Sequence, residues 1–185
     1  ELYDCALYEQ EMADGEVMEE AEAYFDGIMS AATTLCFPDS AKPDGKAYAR
    51  LETRVPSASI DAFCQVNGVT AGSFMQAAFI EAMSRLTRER GGLHLTLSNG
   101  RGSSPELMSS VGMFVKTLPV VRPTTGEGAT TAEFVKSVDA QLRQSYAQES
   151  YPYTRFVERH GVRAEVMFVY QGGVFEGGEI EGAEQ

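Results

Sequence analysis

Two histidines, His94 and His160, and three cysteines, Cys5, Cys36 and Cys64, are the side chains of this 185-residue chain best suited to nucleophilic or acid–base work. A Cys–His or Ser–His catalytic pair must use one of those imidazoles. His94 lies in Leu93-His94-Leu95-Thr96-Leu97, where strand alternation puts the leucines on one face and His94 with Thr96 on the other. A hydrogen-bonded or solvated imidazole on a strand is the plainer reading. His160 precedes Gly161 at a predicted helix end, where an imidazole serves as a C-terminal cap. The cysteines are widely spaced without a Cys-x-x-Cys pair and read as buried free thiols. Glu19-Glu20 and the pair Glu179 and Glu181 have the right chemistry for an acid–base dyad, but they sit in an acidic helix and an acidic tail, which are solvated faces. Gly172-Gly173 and Gly177-Gly178 have neither the spacing nor the following helix of a phosphate cradle, and no metal-ligand spacing occurs. The residues therefore assign no catalytic group, no directly bound cofactor and no metal.

The elements that would position any site come next. The length suits one domain, which buries roughly 70% of its unfolded surface. With 15 Lys+Arg against 27 Asp+Glu the net charge is -12, a potential that repels phosphate backbones and anionic lipid, so nucleic acid and membrane partners are not expected. Apolar runs such as Ala77-Ala78-Phe79-Ile80 fall far short of a bilayer span, and the N-terminal stretch is acidic where a signal peptide would be basic, which predicts a cytoplasmic location.

Residues 1–30 are rich in Ala and Glu and predict two helices separated near Asp14-Gly15, the second with Val17, Ala21, Tyr24, Phe25 and Ile28 on one stripe. Residues 37–45 hold two prolines among turn formers and predict an exposed connection. Residues 48–55 alternate as a strand. Ser57 offers an N-cap for a helix with Ile60, Phe63 and Cys64 inward, closed by Asn67-Gly68. Thr70 caps the next helix, whose Phe74, Met75, Ala77, Ala78, Met83 and Leu86 predict a broad, largely buried face. Thr130-x-x-Glu133 is a capping box for a helix reaching about Glu149, with Phe134, Val138, Leu142 and Tyr146 stacked at four-residue steps as core. A short helix over 154–159 follows, and residues 172–185, glycine and acid without an aliphatic run, predict a frayed end.

The most informative stretch is 98–121, Ser-Asn-Gly-Arg-Gly-Ser-Ser-Pro-Glu-Leu-Met-Ser-Ser-Val-Gly-Met-Phe-Val-Lys-Thr-Leu-Pro-Val-Val. Its ends read as strands, with Met113, Val115 and Thr117 facing one way and Phe114, Lys116 and Leu118 the other, and its middle is small and polar. Pro119 cannot donate to a ladder, so pairing should weaken on its side. An excursion of that length between strands usually has a function.

This stretch resembles the loop and strand in the C-terminal lobe of condensation domains from nonribosomal peptide synthetases, where Ser-Gly-Arg and a variable run lead into Val-Gly-x-Phe-Val-Asn-Thr-Leu-Pro. Gly100-Arg101 and Val111-Gly112-Met113-Phe114-Val115-Lys116-Thr117-Leu118-Pro119 stand in those places, with Asn99 extending the first element and Lys116 replacing Asn. Further along the family's order, Tyr3-Asp4-Cys5-Ala6-Leu7-Tyr8-Glu9-Gln10 is similar to Asp-Tyr-Ala-x-Trp-Gln, and Gly68-Val69-Thr70 with Gln76-Ala77-Ala78-Phe79 to an Ala-rich helix start. Gln148-Glu149-Ser150-Tyr151-Pro152-Tyr153 resembles His-Gln-Asp-Tyr-Pro-Phe, and residues 165–171 resemble the strand that ends the next family motif, whose preceding Arg-Asp-x-Ser-Arg-Asn-Pro is reduced to little more than Arg163.

The resemblance implies an α/β fold in which helices pack on a mixed sheet, one lobe of a chloramphenicol-acetyltransferase-like architecture. Residues 1–171 would form the partial condensation domain and 172–185 its frayed end. It also implies a tunnel wall and crossing loop built by Ser98, Asn99, Arg101, Gly112, Phe114, Lys116 and Thr117. The expected partners are the N-terminal lobe of the same domain and donor and acceptor carrier domains, which present phosphopantetheine thioesters. The family's His-His-x-x-x-Asp-Gly lies in the N-terminal lobe and no His-His occurs here, so the chain is expected to be an excised segment, inactive alone. A lobe without its partner should either self-associate through the exposed face or be a monomer with a disordered loop. An epimerization domain or stand-alone acyltransferase of the same fold, and a non-catalytic carrier-binding relative, are the alternative readings.

Overall fold

The computed structural model describes residues 15–34, 48–52, 55–101, 111–161 and 164–172. The expected first helix, Cys5, Cys36, the 37–45 connection, the middle of the 98–121 stretch, Arg163 and the end of the chain from 173 lie outside those residues.

Helix α1, Glu16–Met29, is followed by the short strand β1, Thr33–Thr34. Helices α2, Ser57–Asn67, and α3, Ala71–Thr87, lead into β2, Gly92–Ser98. Strand β3, Lys116–Val121, then precedes α4, Thr131–Ala147, and α5, Tyr153–His160. The sheet order is β1-β2-β3. β1 runs parallel to β2 from Thr33 opposite Gly92, and β2 pairs antiparallel with β3 from Leu93 opposite Val121 to Ser98 opposite Lys116. This is the mixed sheet that the resemblance implied.

β2 and β3 contribute to two core clusters, one holding Leu93, Leu118 and Val121 and the other Val120. On one face Leu93 and Val121 pack with Met18, Ala21 and Phe25 of α1 and with Tyr151 and Phe156. The Phe25 ring stacks on Tyr151 at 5.3 Å and meets Phe156 edge-on at 6.0 Å. Burying each phenylalanine contributes roughly 2–3 kcal/mol. On the other face Val120 packs with Cys64, Val69, Ala77, Ile80, Val135, Val138 and Leu142 from α2, α3 and α4.

Several expectations shift in detail. On α1 the expected Ala21 and Phe25 are buried together with Met18, while Val17 is 40% exposed. Pro56, extended and without a side-chain acceptor, occupies the N-cap of α2, so Ser57 is its first helical residue. Gly68 closes α2 at φ 66°, as Asn67-Gly68 predicts. Thr70 caps α3 by accepting from the Ser73 amide at 3.0 Å, but α3 buries only Ser73, Gln76, Ala77 and Ile80. Its expected broad buried face is a narrow stripe, with Ala78 and Leu86 exposed.

The capping box of α4 is formed, with Glu133 accepting from the Thr130 amide at 2.7 Å. Its buried residues are Val135, Val138, Asp139, Leu142 and Ser145, so the expected ladder turns inward by alternating steps of three and four and leaves Tyr146 exposed. Residues 48–52 and 55 form no strand. Tyr48 and Leu51 are both 89% exposed, and alternation without an apolar surface to cover does not hold a strand. The strand expected over 165–171 contracts to one parallel bridge, Leu95 to Met167, in which the Leu95 amide donates to Val166 and the Phe168 amide to the Leu95 carbonyl, both at 2.8 Å.

That bridge also shows which side of β3 the Pro119 nitrogen faces. Leu95 spends both its backbone groups on 166–168, so the Leu95–Pro119 pair is a non-hydrogen-bonded one and the missing N–H points away from β2. Pairing therefore continues through the proline to Ser98 and Lys116.

Candidate functional site

His94 is a core residue. It is 2% exposed, its Nε2 lies 2.5 Å from Gln76 Nε2, and Phe79 meets its ring at 5.3 Å. Burial pushes the imidazole down to about 4, against a smaller raising effect of a Gly92 backbone hydrogen bond, so the ring is neutral at physiological pH. His160 ends α5 beside Gly161, whose φ of 62° closes the helix, and Nε2 stands 3.4 Å from Asp26 Oδ1. Cys64 is a buried free thiol, pushed up by burial and then by Asp61 and Asp139. Among the described residues no group of His, Cys, Asp and Glu could hold a metal ion.

The polar chemistry gathers instead where β2 ends. The Gly100 amide donates to Ser98 Oγ at 3.1 Å, which leaves the Ser98 hydroxyl hydrogen for Glu149 Oε2. Glu149, just past the end of α4, is itself only 8% exposed. Gly100 sits at φ 64°, and a Cβ there would lie 1.7 Å from the Phe114 carbonyl oxygen, so the chain turns at this point only with glycine. Asn99 Oδ1 accepts from the Arg101 amide at 3.0 Å, a local turn that a short amide side chain favours. The Arg101 guanidinium then reaches across the excursion, donating to the Gly112 carbonyl at 3.3 Å and lying 4.4 Å over the Phe114 ring. Arg101, Gly112 and Phe114 thus clasp the two ends of the expected crossing loop.

An open cavity of about 680 Å³ lies beside this clasp, lined by Leu97, Ser98, Asn99, Arg143, Tyr146 and Glu149 among others. A smaller one of about 100 Å³ shares Leu97 and Tyr146 with it and runs under Thr70, Ser73, Gln76 and Tyr170. Between α3 and α4, Asp139 accepts from Ser73 Oγ at 2.6 Å, from the Arg143 guanidinium at 2.6 Å and from the Thr70 amide at 3.4 Å. Burial raises the Asp139 carboxyl, and those donors outweigh it and hold it below the usual carboxylate range. Tyr146 is raised by burial and then by the nearby Glu149 charge.

Of the seven residues expected to build the wall and loop, Ser98 and Asn99 line the larger cavity, and Arg101, Gly112 and Phe114 form the clasp. Lys116 and Thr117 lie half-buried in β3, opposite Ser98 and Leu97, and are not among the residues lining that cavity. Sequence reasoning missed Arg143, Tyr146, Glu149 and Ser150 as lining residues. Their signal was the polar run at the end of a capped helix immediately before Tyr-Pro-Tyr.

The chain sets helices on both faces of its sheet and an open cavity at the end of the central strand, and solved structures share this acyltransferase-like fold. The chain is similar to the EpoB cyclization–docking bidomain of a nonribosomal peptide synthetase from Sorangium cellulosum, at 18% identity and a TM-score of 0.67, over 89% of this chain and 36% of that one. It is similar to SgcC5 from Streptomyces globisporus, at 21% identity and a TM-score of 0.70, over 86% and 37%. The first condensation domain of the calcium-dependent antibiotic synthetase, solved with a substrate analogue, matches at 15% identity and a TM-score of 0.68, over 88% and 37%. The chain therefore spans well under half the length of these structures. No curated protein matches it. Residues 3–176 match the model of the condensation domain family, and the chain belongs to that family.

Proposed function

We propose that the chain is the C-terminal lobe of a nonribosomal peptide synthetase condensation domain, working in the cytoplasm and contributing one wall and the crossing loop of the substrate tunnel. The observation that carries this reading is the Arg101 clasp: the family's Gly-Arg and Val-Gly-x-Phe motifs close on each other beside an open polar cavity. The reaction joins an acceptor amine to the carbonyl carbon of a donor thioester. The C–N bond forms, the C–S bond breaks, and the thiol of the donor's phosphopantetheine leaves with the proton the amine gives up. Such chemistry needs alignment of two tethered partners and stabilisation of the oxyanion. The chain binds no cofactor directly in this scheme; carrier domains present phosphopantetheine, and the other lobe supplies the His-His-x-x-x-Asp-Gly that these 185 residues lack.

The test is to mix the chain with aminoacyl-loaded donor and acceptor carrier domains and follow dipeptidyl thioester by mass spectrometry. A parallel reaction uses a polypeptide that joins this chain to a lobe carrying the histidine motif. Product in the parallel reaction alone is expected. Product from the 185-residue chain alone would refute the division of labour between lobes, and none from either would favour a carrier-binding relative without catalysis.

A further inference from the structure

Glu149 is an unusual group to find in a tunnel wall. It is nearly buried, it faces the large cavity, and its hydrogen bond among the described residues comes from Ser98 Oγ, a neutral donor. The cation in the same wall, Arg143, turns its Nε to Asp139 through a 2.6 Å contact. Among the described residues no Lys, Arg or His forms a salt bridge with Glu149. Aligning Tyr151-Pro152 with the Tyr-Pro of His-Gln-Asp-Tyr-Pro-Phe sets Glu149 where that pattern has Gln and Ser150 where it has Asp. In this chain the acid of the segment is Glu149, at the position that faces Ser98.

We propose that Glu149 makes this cavity selective for ligands bearing a protonated amine, so that it acts as a specificity determinant for substrates with an ammonium group. A nearly buried carboxylate with one neutral hydrogen-bond donor gains a charge-assisted hydrogen bond when an ammonium arrives. Ser98, held by Gly100, keeps the second carboxylate oxygen oriented. Asn99, Ser150 and the Tyr146 side chain complete a polar wall around it. The net charge of -12 favours approach of a cation over an anion.

This inference rests on the reading of the cavity as substrate tunnel, and the experiment separates the two. The probes are glycine N-(2-acetamidoethyl)amide, which carries an α-ammonium, its N-acetyl counterpart, and Nα-acetyl-lysine N-(2-acetamidoethyl)amide, which carries a side-chain ammonium. Each is titrated into the polypeptide that joins this chain to a lobe carrying the histidine motif, while backbone amide shifts of Ser98, Asn99, Tyr146 and Ser150 are followed. At least one ammonium probe should bind about tenfold more tightly than the neutral one, the size of one charge-assisted hydrogen bond. Which of the two does so identifies the source of the amine. Glu149→Gln should cut the preference to about twofold or less while the remaining amide spectrum stays in place. Equal affinity for all three probes in the joined polypeptide with Glu149 in place, or an unchanged preference in Glu149→Gln, overturns the charge selection and leaves the tunnel reading standing. Failure of every probe to move those amides overturns the tunnel reading, and the inference falls with it.

Discussion

Replacing Gly100 with alanine should be among the most costly single-methyl additions in the described residues. The residue sits at φ 64°, where a side chain costs about 1 kcal/mol. The new Cβ would lie 1.7 Å from the Phe114 carbonyl oxygen and 2.8 Å from its carbon, so β3 and the turn must separate. Separation adds overpacking strain of about 1–3 kcal/mol, and pulling the Gly100 amide from Ser98 Oγ adds about 1 kcal/mol. The sum is about 3–5 kcal/mol. Gly68→Ala is the matched control, because Gly68 has nearly the same φ of 66° with nothing within 4 Å of its Cβ position. That substitution should cost only the backbone part, about 1 kcal/mol. In thermal unfolding the two translate to roughly 6–20 °C and 2–4 °C for a chain of this length. Urea unfolding of both variants gives the same comparison without extrapolating to high temperature. If the two variants agree to within about 0.5 kcal/mol, the close approach of Phe114 to Gly100 is not part of the native state, and the clasp built upon it is lost as well.

Asp139→Asn should destabilise by about 1–3 kcal/mol in denaturant titration, since it weakens a buried acceptor of Ser73, Arg143 and Thr70. Because the folded Asp139 carboxyl lies below its ordinary value of 3.8, its contribution is complete above that pH and disappears as pH falls through the lowered value; Asp139→Asn should flatten this part of the acid-unfolding curve. His94 has the same sign for a different group: its pKa falls from 6.5 to about 4 on folding, so stability is full above pH 6.5 and declines as pH drops toward 4. His94→Gln should remove that decline, measured as urea midpoint against pH. Thr130→Ala should cost about 1 kcal/mol through loss of the capping box, with faster amide exchange confined to the first turn of α4.

The helices were legible in the sequence wherever a local signal fixed an end. Thr130 and Glu133 needed no distant partner to start α4, and Gly68 and Gly161 stop their helices by conformation alone. Facing was less legible. Which side of α1 turns inward depends on Phe25 finding Tyr151 and Phe156, residues more than a hundred positions away. The alternation of residues 48–55 promised a strand because periodicity registers which side chains could share a face, and says nothing about whether a surface exists to cover it. At the site, Gly100 and Arg101 stood out through the resemblance to the family's Ser-Gly-Arg. Glu149 did not, because its meaning comes from Ser98, brought beside it by the antiparallel pairing of β2 and the return of α4.

Pro119 carries a consequence for how the sheet can grow. One edge of β2 is filled by β3, and the other is shared by β1 and residues 166–168. Among the described residues β3 forms one outer edge of the sheet and β1 with residues 166–168 the other, and the proline nitrogen faces the outer side of β3. A foreign strand arriving there would find a gap in the row of donors at the middle of the strand, which interrupts the template that edge-to-edge aggregation uses. The same imide that costs nothing against Leu95 guards the outer border, so the register of one internal pairing decides which border of the sheet is closed to strangers.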